Sequence, residues 1–214
     1  MQKRWLSCGF FLATACVSQG RPCSNREADC DSELACVVNR CRPKAEAVVP
    51  AESRRVVIPA RRVAVLASRE LPVDAEVTAF GAAASGDVIV LLDFDAGVTS
   101  AVEVTGAFLV VDPEVGSPGP AAPVSVALSP VLGTWNDGFI SYGRAPRLGS
   151  PLTKSDIPPA RRAALRLDVT EFVAKNKLGG QRFALTASGD DPIGARLITL
   201  AESSVGPRLE LYLK

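Results

Sequence analysis

Val88-Ile-Val-Leu-Leu-Asp-Phe-Asp95 is a nearly unbroken apolar run closed by two aspartates. Three more runs follow: Trp135-Asn-Asp-Gly-Phe-Ile-Ser-Tyr142, Leu165-Arg-Leu-Asp-Val-Thr-Glu-Phe-Val173 and Ala201-Glu-Ser-Ser-Val-Gly-Pro-Arg-Leu-Glu-Leu211. Each is short, rich in β-forming residues and bounded by turn chemistry, which describes an all-β domain of many brief strands. Val88 to Phe94 has the apolar continuity of a central strand in a sandwich. Val124, Val126 and Leu128 alternate with Ser125, Ala127 and Ser129. Leu165, Leu167 and Val169 alternate with Arg166 and Asp168, and Leu209, Leu211 and Leu213 with Arg208, Glu210 and Tyr212. This period of two places one face inward and one outward. Asp112-Pro-Glu marks a turn, and Gly116-Ser-Pro-Gly-Pro-Ala-Ala-Pro123 a loop. One short helix is expected over Glu171–Asn176, with Thr170 as N-cap and Gly179-Gly180 beyond its end. Strands with one helical turn predict a two-sheet antiparallel β-sandwich over residues 56–214.

Composition narrows the function. The chain of 214 residues has 47% apolar residues, enough for a real core. Zero histidines remove the commonest general base near neutral pH and the commonest metal ligand, and with them any Ser-His-Asp or Cys-His site. Ser203 in Glu202-Ser-Ser therefore has no histidine to activate it. Nor does anything in the sequence set two acids across a cleft, so no enzyme and no catalytic residue is expected. Lys and Arg total 24 against 23 Asp and Glu; without Lys3 and Arg4 the basic count is 22. That balance argues against nucleic acid, which calls for a clearly basic domain.

The N-terminal residues 1–15 read as an export signal. Gln2-Lys3-Arg4 supplies the basic region, Trp5 to Ala15 is apolar apart from Ser7 and Thr14, and small residues precede Cys16. The apolar run is far shorter than the ~20 residues needed to span a bilayer. Ala13-Thr-Ala15 also fits ordinary signal cleavage at the same bond, giving a secreted chain as the alternative. The small residues before Cys16 resemble a bacterial lipobox, and that resemblance implies lipidation of Cys16. Val17, in place of a retention aspartate, implies the outer membrane or cell surface.

All six cysteines lie within the first 41 residues. With Cys8 in the signal and Cys16 lipidated, four remain: Cys23, Cys30, Cys36 and Cys41, spaced C-x6-C-x5-C-x4-C. Residues 16–42 are expected to form a small module stapled by disulfides, because so short a segment cannot build a core. A zinc site would want closer paired ligands. The segment resembles EGF-like and Dickkopf-like modules, and the resemblance implies Cys23 with Cys36 and Cys30 with Cys41. Residues 43–55 then read as a semi-extended linker. Arg54, Arg55, Arg61 and Arg62 form a basic cluster, expected to be solvated unless it meets anionic lipid or acidic polysaccharide.

In order, the strand ending Leu-Leu-Asp-Phe-Asp95, the strand Ala107-Phe-Leu-Val-Val111, Trp135, Leu167-Asp-Val-Thr-Glu-Phe-Val173, Phe183-Ala-Leu-Thr-Ala187 and Glu202-Ser-Ser-Val-Gly-Pro-Arg-Leu-Glu-Leu211 resemble the DNRLRE-type domain, also classed as carbohydrate-binding module family 96. The resemblance covers residues 62–214. It implies a jelly roll and a polysaccharide partner, acidic in some members. This sequence departs from the family pattern at Ser141-Tyr-Gly143, where Thr-Trp-Asn is usual.

Sugar recognition needs an aromatic platform and hydrogen-bonding groups, with cations when the sugar is acidic. Trp135 and Tyr142 flank the turn Asn136-Asp-Gly138, and Arg144, Arg147 and Lys154 follow. These five residues are the candidate binding set, with core packing the competing role for Trp135. No cofactor is required. The carboxylates Asp93, Asp95, Asp190 and Asp191 could supply oxygen ligands to calcium, although none has the spacing of a known calcium loop. A structural or protein-docking module of the envelope, with no sugar ligand, is the alternative function.

Overall fold

The computed structural model describes residues 34–37, 40–43, 53–69, 76–97, 102–159, 164–176 and 179–214. The expected signal, Cys16, Cys23, Cys30 and most of the linker lie outside them. The chain divides into two compact units, Met1–Val49 and Pro50–Lys214.

In the first unit β1 (Leu34–Val37) and β2 (Arg40–Pro43) form an antiparallel hairpin, in which Cys36 and Cys41 are direct cross-strand partners.

The second unit is an antiparallel jelly roll. Its strands are β3 (Arg54–Pro59), β4 (Arg62–Ala67), β5 (Val77–Phe80), β6 (Val88–Phe94), β7 (Val104–Val111), β8 (Val124–Pro130), β9 (Thr153–Ile157), β10 (Leu165–Asp168), β11 (Gln181–Ala187), β12 (Ala195–Ile198) and β13 (Arg208–Leu213). One sheet has the order β10-β7-β13-β3 and the facing sheet β4-β6-β11-β8-β9. Successive strands β6, β7 and β8 change sheets each time, β8 and β9 pair as neighbours, and β10, β11 and β13 alternate again. That alternation is the double Greek key of a jelly roll. β4 extends the larger sheet beside β6, and β5 pairs with β12 as a separate ribbon.

The period-two pattern dictates the core. Val88, Val90, Leu92 and Phe94 of β6 share the inner face with Phe183 and Leu185 of β11 and Val126 and Leu128 of β8. Across the sandwich stand Leu109 of β7, Leu165 and Leu167 of β10, and Leu209 and Leu211 of β13. Phe183 takes edge-on contacts from Phe94 and Phe172, with ring centroids 6.2 and 5.5 Å away. This arrangement is preferred over face-to-face stacking.

The outward faces are less solvated than alternation predicts. Glu210, on the outer face of β13, is 1% exposed. Arg55 reaches its carboxylate at 2.8 Å, Arg166 at 3.0 Å and Arg208 at 3.6 Å. Arg166 also lies 4.0 Å above the Phe108 ring, and Arg208 clamps Asp112 with two hydrogen bonds of 2.6 and 3.2 Å. On the other sheet Asp93, 3% exposed, sits between Arg61 at 3.2 Å, Arg182 at 3.4 Å and Arg62 at 4.0 Å. Arg55, Arg61 and Arg62 are therefore paired rather than merely solvated. Arg54 and Arg55 also belong to β3 rather than to the linker, because β3 pairs with β13 along its whole length.

The helix differs from expectation by one residue. α1 spans Thr170–Lys175 with Val169 in the cap position, where its own side chain makes no capping bond. Thr170 turns its hydroxyl to β7 instead, accepting from the Ala107 amide at 2.9 Å and donating to the Ala107 carbonyl at 3.3 Å. Asp168 takes the Thr170 amide at 2.8 Å in its place.

At the β5–β12 end, the buried Asp191 ties three segments together. Its carboxylate accepts the amides of Gly194 at 2.7 Å, Ile193 at 2.9 Å and Ala122 at 2.8 Å. Gly194 has φ +73°, and a Cβ there would lie 2.6 Å from the Phe80 carbonyl oxygen, so only glycine fits the turn.

Two stability predictions follow from these contacts. Glu210→Ala strands Arg166 under the sheet surface and lowers unfolding free energy by about 3 kcal/mol, whereas Arg55→Ala, at a half-exposed position, costs about 1 kcal/mol or less; urea denaturation measures both. The backbone amide of Gly194, then those of its neighbours, holds the Asp191 carboxyl below the ordinary aspartate value of about 3.9. A depressed folded value stabilises above the unfolded value and is lost as pH falls through the folded one. Thermal midpoints should therefore drop as pH falls below about 4, and Asp191→Asn should be less stable at pH 7 with a shallower acid slope.

Candidate functional site

β8 does not turn directly into β9. Residues 131–149 leave the sheet edge, fold over the outer face of the five-stranded sheet and return. The base of this cover loop is zipped by the Val131–Leu148 bridge, by the Leu132 amide to the Arg147 carbonyl at 2.8 Å, and by the Gly149 amide to the Pro130 carbonyl at 2.8 Å. The sheet beneath presents Ala64 and Leu66 of β4, Ile89 and Leu91 of β6, and Ala184 of β11. Alternate small residues leave a shallow apolar trough, and the loop fills it with Trp135, Ile140, Tyr142, Ala145 and Leu148.

Trp135 thus takes the packing role. It is 7% exposed, so its ring is not an open platform for a ligand, and its removal from the proposed binding set is a correction. Its indole N–H donates to Asp137 at 2.9 Å. Arg62 lies 5.0 Å above the ring and donates to the Trp135 carbonyl at 3.1 Å and to Asp137 at 3.0 Å. A buried indole with its N–H satisfied and a guanidinium on its face is a strong anchor.

Tyr142 opens a 3-10 turn, Tyr142–Arg144, and is half-buried. Its hydroxyl donates to Asp87 at 3.1 Å. Burial first, then Asp87, raises the phenol above its ordinary value, so the hydroxyl stays a donor at neutral pH. Asp87 is held below the usual carboxylate range by a hydrogen bond from Ser188, then by Tyr142 and the charge of Arg69. Asp87 and Ser188 are neighbours because Val88 pairs with Ala187.

The three basic candidates stand differently. Arg144 is exposed in the 3-10 turn, Arg147 is exposed at the loop base, and Lys154 is exposed on β9 opposite Ala127. None of them makes an ion pair among the described residues. By contrast Arg55, Arg61, Arg62, Arg166, Arg182, Arg196 and Arg208 each reach a carboxylate. These seven arginines support the fold, whereas Arg144, Arg147, Lys154 and, at the start of β3, Arg54 face solvent.

One residue of the site is not among the sequence candidates. Phe139 is 76% exposed. It closes a turn in which its amide donates to the Asn136 carbonyl at 3.0 Å and the Gly138 amide to the Asn136 side chain at 3.1 Å. The available signal is Asn136-Asp-Gly138, a turn sequence running straight into an aromatic.

Two of the four carboxylates that could hold calcium have other partners. Asp93 is bracketed by arginines and Asp191 by backbone amides, while Asp95 and Asp190 are exposed. The jelly roll also has an open cleft of about 620 Å³ lined by Leu152, Thr153, Asp168, Glu171, Phe172 and Lys175, among others. It sets two carboxylates against one ammonium, and Lys175 is already bonded to Glu171 at 2.5 Å. A polyanion is disfavoured there.

Trp135 is expected to report the cover loop, since the only other tryptophan is Trp5. Arg62→Ala should redden and quench its emission in a Trp5→Phe background before global unfolding in urea, and Trp135→Ala should cost about 3–5 kcal/mol. No protein-family model matches the chain, and neither does any curated protein.

Proposed function

We propose that this chain is a lipid-anchored protein of the outer membrane or cell surface whose jelly roll binds acidic polysaccharide without turning it over. The observation that carries this reading is the split among its cations. Arg144, Arg147 and Lys154 face solvent with no ion pair among the described residues, as does Arg54 at the start of β3, while Arg55, Arg62, Arg166, Arg182, Arg196 and Arg208 on the strands each reach a carboxylate. Guanidinium groups match carboxylates bidentately, so the two arginines of the cover loop, with the lysine of β9, suit a chain bearing repeated carboxylates. Tyr142, two residues before Arg144, is fixed on the same loop by its hydrogen bond to Asp87.

Three further points support the reading. The strand order is that of a jelly roll, the fold implied by the resemblance of residues 62–214 to DNRLRE-type domains. The small residues preceding Cys16 fit a lipid anchor, and no helix among the described residues is long and apolar enough to cross a membrane. The most buried carboxylates, Asp93 and Glu210, are bound by arginines, which suits holding a ligand better than proton transfer.

Affinity electrophoresis tests this. The chain is run through gels containing alginate, pectin, a neutral glucan or no polymer, with and without calcium and at two salt concentrations. Retardation is expected in the acidic gels alone and should weaken with salt, because exposed charge pairs are screened. The triple variant Arg144→Ala, Arg147→Ala, Lys154→Ala should bind roughly tenfold more weakly, about 1.4 kcal/mol. Unretarded migration in every gel would overturn polysaccharide binding and leave a protein-docking module as the better reading.

A further inference from the structure

We infer that Phe139 is the aromatic contact of this site, stacking on the apolar face of a sugar ring while Arg144 and Arg147 of the same loop take its carboxylates; the inference rests on the polysaccharide reading above. Among the described residues every other aromatic is buried or half-buried, so Phe139 is the one ring with its face open to solvent. A single exposed apolar residue is ordinary on a protein surface. What sets this one apart is the support beneath it.

The turn that presents Phe139 is held from three directions. Its own backbone closes through Asn136, its Asp137 carboxylate binds both the Trp135 indole and Arg62, and Arg62 in turn lies over the buried Trp135 ring and beside Asp93. The ring is therefore displayed on a rigid mount anchored in the sheet, which reduces the entropy lost when a ligand orders it. A stiff aromatic with two rotatable bonds supplies large contact area at small entropic cost.

The polar groups of the same turn choose the ligand class. The Asp137 side chain keeps 62% of its exposure, and Asn136 is exposed beside it. An amide and a carboxylate flanking an aromatic ring match hydroxyl groups on a pyranose.

The test uses the full chain and sodium alginate, with Phe139→Ala and Phe139→Trp beside the wild type. Phe139→Ala should weaken binding about five- to tenfold, whereas Phe139→Trp should hold or strengthen it. The dependence of binding on salt should be the same in all three, because no charge changes, and the urea midpoints should agree, because the ring is exposed. If the wild type binds alginate and Phe139→Ala binds as well, the stacking role is overturned and the polysaccharide reading stands. If the wild type is not retained, both are overturned. A variant that loses co-sedimentation with phosphatidylglycerol vesicles while keeping its alginate affinity would reassign Phe139 to a lipid contact and overturn the inference.

Discussion

Two carboxylates on the outward faces of a sandwich, each nearly out of water and each answered by arginines, constrain the rest of this fold. A buried unpaired carboxylate is too costly to keep, so the strands around Asp93 and Glu210 must supply positive charge at fixed positions. Arg55 comes from β3, Arg166 from β10 and Arg208 from β13 itself; Arg182 comes from β11, and Arg61 and Arg62 from the corner into β4 and its first residue. Each cluster ties several strands of its sheet across their hydrogen-bond ladder. Slipping one strand by a single residue would turn its arginine into the apolar interior, so the clusters also fix register.

The cover loop inherits this order. Arg62 faces Asp93 below and Asp137 and Trp135 above, so the geometry of the outer surface is continuous with that of the sheet. The apolar trough under the loop comes from small residues at Ala64 and Ala184, whose size leaves room for the indole and the Tyr142 ring. The solvent-facing cations and Phe139 then occupy a surface whose foundation is already set by charge pairing beneath it.

Much of the fold was legible in the alternation of residues. Leu209 and Leu211, Val126 and Leu128, and the unbroken run at β6 fall on the inner face as their spacing requires. Alternation could not reveal that the opposite face is also closed, because it separates apolar from polar and does not report whether the polar side meets water. Glu210 and Tyr212 read as solvent residues and are buried, since arginines and an aromatic neighbour from distant strands cover them. Arg55, Arg61 and Arg62 look solvated from sequence for the same reason: their acid partners lie far away in the chain. Trp135 could be weighed either way from sequence, and only the trough of small residues on three strands decides for packing. Phe139 is not legible as a surface ring, because an aromatic near a turn is as easily core as surface, and the hydrogen bonds that mount it join residues 62 and 137.

The pairing of β3 with β13 joins the first and last strands of the jelly roll, and the Arg55–Glu210 contact closes a span of 155 residues. Local contacts can form while such a chain is being made, but the four-stranded sheet cannot finish until its final strand is available. Closure so distant in sequence makes for slow folding, since its entropy must be given up before the contacts repay it. The same adjacency leaves the two ends of the domain side by side at one sheet edge, a geometry in which the jelly roll can be carried on a single stalk or inserted as a unit into another chain without disturbing its core.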